Sequence, residues 1–259
     1  MKRVEEIWGT MIGVDVRDDV APAVIDDVFA WFARVDELFR TWRDDSEIVR
    51  LAAGTLAIAD SSTETRTVLD LCHRLSSATG GAFDVAAGAL LPPPHPPGWC
   101  ALDPSAVVKG WALDRAGDRL AAAGAERFCI NAGGDVLVGR GPGGEDDGDV
   151  WRIGIQHPEI RGQVAAVVAV TDAGVATSGR YERGNHVVDP RTGLPATGLA
   201  SVTVIASTLA NADGYSTAVL ALGRDGLDWL GAHTEIDAMA VTDDAQVFTT
   251  PGFDRYRTG

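Results

Sequence analysis

Cysteine is nearly absent: the 259 residues hold three, Cys72, Cys100 and Cys129. They are widely separated, odd in number and free of any Cys-x-x-Cys, which excludes a disulfide framework and a zinc knuckle. Positive charge is scarce as well, with 22 Lys and Arg against 37 Asp and Glu and a formal net charge of −15. A field of that sign repels nucleic acid and anionic lipid, so neither is an expected partner. Long apolar runs are missing too. The longest, over 164–170, has the length of a strand, far short of the ~20 residues that a membrane span needs. Near the start, Glu5 and Glu6 stand where a signal peptide needs its apolar stretch, so a cytoplasmic protein is expected. Neither the phosphate-binding G-x-x-x-x-G-K-[ST] loop nor the G-x-G-x-x-G dinucleotide fingerprint occurs, and no nucleophile elbow or serine–histidine–acid order can be assembled.

What remains is ordinary globular material, 46% hydrophobic and 23% charged, with ample chain for a core. No repeat and no linker divides it, so a single domain over 1–259 is expected. The pattern gives a first strand over 8–16. Apolar residues at three- and four-residue spacing give a helix over 22–39. A second helix is expected from Ser61, with Glu64 three positions on as a capping box, ending at Gly80-Gly81. Five prolines between 92 and 97 forbid helix or central strand there. A third helix follows over 108–123, then strands at 128–131, 136–139, 151–156, 164–171, 186–188, 202–206, 238–242 and 246–249, interrupted by a helix over 209–222. Strands that follow one another, with helices in clusters, indicate an α+β fold with mixed or antiparallel sheets.

Several clusters use residue types that are poor choices for packing. Gly80-Gly81-Ala82-Phe83-Asp84 reads as a helix end and turn. In the segment Asp103 to Asp114 a turn enters a helix whose first N–H groups, with Lys109 beside them, suit an anion; a solvated lysine explains the segment equally well. Asn131-Ala132-Gly133-Gly134-Asp135 is a tight hairpin with two polar residues to spare. The densest cluster, 177–193, holds Arg180, Arg183, Arg191 and His186 among hydroxyls and glycines, and suits a phosphate or carboxylate. Within it Asp189-Pro190-Arg191-Thr192-Gly193 is also a good type I turn. Downstream, Asp213 and Thr217 share one helical face and offer two oxygens to a hard cation such as Mg²⁺; on spacing alone a first-turn Asp stabilised by the helix dipole and an ordinary Thr is the better reading. The remaining histidines, His73, His95, His157 and His233, show no metal spacing and read as structural or surface groups.

Taken in order, these clusters resemble the ApbE family of FAD:protein FMN transferases. The likeness runs from Trp8-Gly9-Thr10 through Thr41-Trp42-Arg43-Asp44-Asp45-Ser46-Glu47, Ala82-Phe83-Asp84, Asp103…Lys109-Gly110-Trp111, Asn131-Ala132-Gly133-Gly134-Asp135 and Ser178-Gly179…His186…Asp189-Pro190-Arg191-Thr192-Gly193 to Ala212-Asp213…Thr217. The resemblance implies an ApbE-like fold and an enzyme that breaks the FAD pyrophosphate with Mg²⁺. FMN would then move to a Thr or Ser hydroxyl of an acceptor protein, with release of AMP. By motif position it implies metal ligation by Asp213, Thr217, Ser216 and the carbonyl of Ala106. FAD contacts would come from Trp8, Trp42, Ala82, Phe83, Asp84, Asp103, Lys109 and the backbone at Val188. The catalytic groups would be His186, Asp213 and Lys109. Alternatives on the same fold are hydrolysis of FAD to FMN and AMP, and FAD binding without turnover.

The chain also departs from the family pattern. Only 18 residues separate Asp84 from Asp103, where the family carries several tens. Phe83-Asp84-Val85-Ala86 replaces Phe-Asp-Pro-Thr, Trp8 and Trp42 stand for Met and Tyr, and the usual export signal or lipid anchor is not seen. A short, cytoplasmic-type member with a cytoplasmic acceptor is the expectation.

Overall fold

Residues 1–90, 100–141, 150–180, 187–234 and 236–258 are described by a computed structural model. The proline run at 92–97 and His186 lie outside the described residues. At the start, the strand expected over 8–16 is β2 (Thr10–Val16), and β1 (Lys2–Ile7), which was not expected, precedes it and pairs with it as a hairpin. Its two-residue turn, Trp8-Gly9, has positive φ at both positions, 58° and 68°, the backbone that matches the twist of a tight hairpin.

Helix α1 (Pro22–Phe39) begins with proline at its first turn and buries Ile25, Val28, Phe29, Phe32, Val35 and Phe39 along one stripe. A short α2 (Glu47–Ala52), capped by Ser46, was not legible. Helix α3 (Thr63–Ala78) corrects the expected capping box. Ser62 is the cap, accepting from the Thr65 amide, and the carboxylate that bonds the Ser62 amide and hydroxyl is Glu47 of α2, at 2.9 and 2.8 Å. Next come α4 (Ser105–Ala122), β3 (Phe128–Ala132), β4 (Asp135–Val138), β5 (Trp151–Gln156), β6 (Val164–Val170) and β7 (Ala173–Gly179). After them follow β8 (Val188–Asp189), β9 (Leu194–Pro195), β10 (Leu199–Ala206), α5 (Leu209–Leu222), α6 (Asp225–Ala232), β11 (Asp237–Thr242) and β12 (Val247–Thr249). A 3₁₀ turn at Pro251–Tyr256 ends the ordered elements. Strand β7 and helix α6 were not expected from the sequence.

One eight-stranded sheet, ordered β1-β2-β3-β4-β7-β10-β11-β12, is antiparallel at every pairing. Its two faces bury different partners. Ile12, Val14, Ile130, Leu137, Ala176, Val202 and Val204 face the helices, while Val136, Val138, Val175, Ile205 and Met239 pack on the β5–β6 hairpin and Phe253. The architecture is therefore α+β with antiparallel sheets and helices gathered on one side.

Helices α4 and α5 cross closely over the sheet. A Cβ on Gly110 would lie 2.6 Å from the Leu209 carbonyl oxygen, and one on Gly174 of β7 would lie 2.5 Å from Leu209 Cα. Glycine at both positions admits the backbone of α5. The buried carboxylate of Asp114 on α4 accepts from the amides of Leu209 and Ala210 at 2.8 and 3.0 Å and so closes the N-terminus of α5. With Asp114 at the start of α5 and Lys109 reaching β4, the helices run in opposite directions. Lys109 near the start of α4 and Ser216 and Thr217 in the middle of α5 thus reach the same end of the sheet, the one through Asp135 and the Thr177 amide, the others through Ser178.

Candidate active site

That end is formed by the turns at Trp8-Gly9 and Gly133-Gly134, the last residues of β7 and the start of α4. Gly133 and Gly134 have φ of 61° and 104° and join β3 to β4 in the expected tight hairpin. A Cβ on Gly133 would meet Thr10 Oγ1 at 2.8 Å, so the two hairpin turns lie side by side.

The turn delivers Asp135 onto the helix side of the sheet, where it is 3% exposed. Its Oδ1 accepts from the Thr177 amide at 3.0 Å, and its Oδ2 is ion-paired to Lys109 Nζ. Lys109 is thus held near a site rather than solvated at random. Three strands on in sequence but next to β4 in the sheet, the end of β7 puts Ser178 against α5. Its hydroxyl lies 2.8 Å from Ser216 Oγ and 3.1 Å from Thr217 Oγ1, and Ser216 donates to the Asp213 carbonyl at 2.9 Å. Asp213 and Ser216 are buried at 5% and 0% exposure. Of the four expected metal residues, Ser216 and Thr217 are joined by Ser178, and Asp213 lies one turn earlier on the same helix with its main-chain carbonyl bonded to Ser216. The fourth, Ala106, sits half-buried in the first turn of α4.

Ala82, Phe83 and Asp84 lie beside the entry to α4, because the Asp103 amide donates to the Val85 carbonyl at 2.8 Å. Asp103 Oδ1 accepts from Ser105 N at 3.0 Å and Asp84 Oδ1 from Ala86 N at 2.8 Å, so both carboxylates order their own turns. Ala82 and Phe83 are buried. Asp84, Val85 and Leu102 border a cavity of about 450 Å³ with Leu69, Cys72, His73 and Ser76 of α3. The half-buried Trp8 packs edge-on against Phe32, ring centroids 5.5 Å apart. Trp42 is 59% exposed in the turn after α1. Val188 is buried in the small β8–β9 sheet.

Among the described residues of the arginine-rich segment, both arginines are matched by carboxylates. Arg191 grips both oxygens of Asp189, Nε to Oδ1 at 3.0 Å and Nη2 to Oδ2 at 2.9 Å, and these bonds hold that carboxyl below its ordinary range. Arg180 pairs with Asp243, whose other oxygen accepts from the Gly198 amide at 2.8 Å. Arg183 lies outside the described residues. The turn itself is as expected, with Thr192 and Gly193 amides both donating to the Asp189 carbonyl. Asp135 and Ser178 are the site residues that sequence reasoning left without a role, though both stood inside segments it singled out.

Burial pushes the Cys72 thiol up to about 12 and Cys129 to about 11, and Cys100 also upward, so all three stay protonated. Among the described residues no group of three His, Cys, Asp or Glu side chains is placed to hold a metal, and no helix is long and apolar enough to cross a membrane.

The sequence model of the ApbE family matches residues 8–92 and 95–240, and the chain belongs to that family. A Klebsiella pneumoniae protein named FAD:protein FMN transferase is 30% identical over 304 aligned positions, covering 96% of this chain and 85% of the relative. An alignment longer than the 259-residue chain means that the relative carries insertions. A Vibrio cholerae protein of the same name is 28% identical, over 74% of this chain and 71% of its own. The solved flavinyl transferase ApbE of Pseudomonas stutzeri superposes with a TM-score of 0.83 at 25% identity, covering 100% of this chain and 97% of that one. The flavin transferase ApbE of Vibrio cholerae gives 0.83 at 24% identity and shares the fold.

Proposed function

We propose that the chain, acting as one transferase domain, is a Mg²⁺-dependent FAD:protein FMN transferase of the cytoplasm. An oxygen of a Thr or Ser hydroxyl on an acceptor protein forms the new bond to the FMN phosphorus. The bond from that phosphorus to the bridging pyrophosphate oxygen breaks, and AMP leaves. The observation that carries this proposal is the convergence of Lys109, Asp213, Ser216 and Thr217 at one end of the sheet. The family membership and the names of its relatives support it.

The Asp213 carboxylate, one turn before the Ser216 and Thr217 hydroxyls on α5, makes with them an oxygen-only donor set. It suits a hard cation that keeps waters and takes phosphate oxygens as its remaining ligands. Asp213, Thr217, Ser216 and the Ala106 carbonyl would hold Mg²⁺, whose chemistry is to neutralise pyrophosphate charge and orient the displacement. Charge compensation points the same way. Lys109, Arg180 and Arg191 are each already matched by a carboxylate, so these side chains bring no surplus positive charge to an anionic ligand.

Ser178 fixes the rotamers of Ser216 and Thr217 through its hydroxyl. Lys109 contacts the pyrophosphate, and Asp103 and Asp84 shape the turns that face the ligand. The backbone at Val188 and the rings of Trp8 and Trp42 supply further FAD contacts. His186 is the proposed base that takes the acceptor's proton, as a neutral imidazole can near pH 7.

The test is Asp213→Ala. It is expected to abolish transfer of FMN from FAD to an acceptor, followed by mass spectrometry, while the circular dichroism spectrum is kept. Undiminished transfer would sink the assignment. With FAD and Mg²⁺ alone, accumulation of free FMN at a catalytic rate would instead identify a hydrolase. FAD that co-purifies and stays intact would identify a binding protein.

A further inference from the structure

Asp135 has no task in the chemistry above, yet at 3% exposure it is more deeply buried than Asp213 at 5%. It stands at the first position of a strand paired on both sides, opposite Ala132 of β3 and next to Val136, which pairs with Val175 of β7. One carboxylate oxygen is committed to the Thr177 amide at 3.0 Å, which turns the other toward Lys109. The ammonium sits on a flexible stem, 30% exposed, whereas its partner is rigid and 4% exposed in its side chain.

We propose that Asp135 is a positioning residue for the transfer reaction. It holds Lys109 aimed at the site and yields it, in part or whole, when the FAD pyrophosphate arrives. This rests on FAD being the substrate. A buried carboxylate makes the pair neutral in the free enzyme, so the ligand must compete with Asp135 for the ammonium. The same carboxylate also restricts where that ammonium can travel, which a solvated lysine would lack.

Asp135→Asn separates these two effects, because its side-chain carbonyl still accepts from Thr177 while the negative charge is gone. FAD is expected to bind about threefold tighter or more, since it no longer competes for Lys109. Turnover is expected to fall about tenfold, since the lysine is no longer held in line. KM for FAD and kcat therefore drop together, a pattern that loss of packing does not produce. In a Lys109→Met background the gain in FAD affinity disappears. The melting temperature gives a readout independent of FAD. Lys109→Met lowers it by leaving a buried carboxylate unpaired, and adding Asp135→Asn restores it.

Should Asp135→Asn not fold, Lys109→Gln supplies the measurement. It is expected to lower the melting temperature and weaken FAD binding, and an unchanged melting temperature overturns the pairing. Asp135→Asn that weakens FAD binding, equally with and without Lys109, overturns the positioning role. Wild-type protein that fails to bind FAD overturns this role together with the transferase function. Wild-type binding with additive effects in the cycle overturns the positioning role alone.

Discussion

Trp8 carries two local costs at once. Its φ of 58° lies in the left-handed region, unfavourable for a bulky side chain, and its indole N–H is buried without an acceptor among the described residues. Trp8→Phe keeps the ring against Phe32 and removes the orphaned donor, a group that costs about 1–3 kcal/mol when buried. The melting temperature of the ligand-free protein should then rise by about 2 °C or more. Calorimetry that shows a clear fall would contradict this. At this scale the sequence singled out Asp213, Thr217 and Lys109 as residue types that are poor packing choices, while a first-turn Asp, an ordinary Thr and a solvated lysine also fitted their spacing; the roles proposed for them come from the family resemblance. Asp135 and Ser178 were quoted but given no role, because a carboxylate after a Gly-Gly turn and a serine beside glycine both fit ordinary loops. Their partners, Thr177 and Ser216, lie about 40 residues further along the chain, a distance that no local spacing reveals.

Among the elements, the crossing of α4 over α5 controls the separation of the two halves of the site. Gly110→Ala would drive a methyl against the Leu209 carbonyl and Ala210 Cα, at 2.6 and 2.7 Å, and backbone atoms cannot swing aside. Overpacking of this kind costs about 1–3 kcal/mol. A melting temperature lower by several degrees is expected, with the proposed transfer from FAD slowed more than tenfold. Turnover equal to wild type would show that the crossing tolerates expansion. Element by element, legibility followed burial pattern. Helix α1 was readable from its apolar stripe and α5 was bounded at Leu209–Leu222 as observed. Strand β1 escaped notice because it is an edge strand, alternating half-buried and exposed residues with charges throughout. Strand β7 escaped because Ala, Gly, Thr and Ser dominate it. Those small residues are what lets α5 lie directly on it, as at Gly174.

Across the whole molecule, acid–base behaviour is set by carboxylates with opposite displacements. Burial raises the Asp114 carboxyl from 3.8 to about 6, against the pull of the two α5 amides. A folded state that holds this proton more tightly than the unfolded chain has the full benefit below the unfolded value. The benefit is lost as pH rises through the folded value. Asp18, Glu47 and Asp189 are shifted downward; their contribution is present above their ordinary values and lost on acidification. The melting temperature should therefore rise from pH 7 to about pH 5 and fall below about pH 4. Asp114→Asn should flatten the first of these limbs, and a limb of unchanged slope would assign it to the general repulsion of a −15 chain. The antiparallel sheet also gives the molecule a polarity. Lys109, Asp135, Ser178 and Thr217 share one end, while the exposed turn at Gly124, between α4 and β3, lies at the other. A fluorescent tag or surface anchor spliced into that turn would face away from the proposed site, so the protein can be immobilised by the opposite end with that site presented outward.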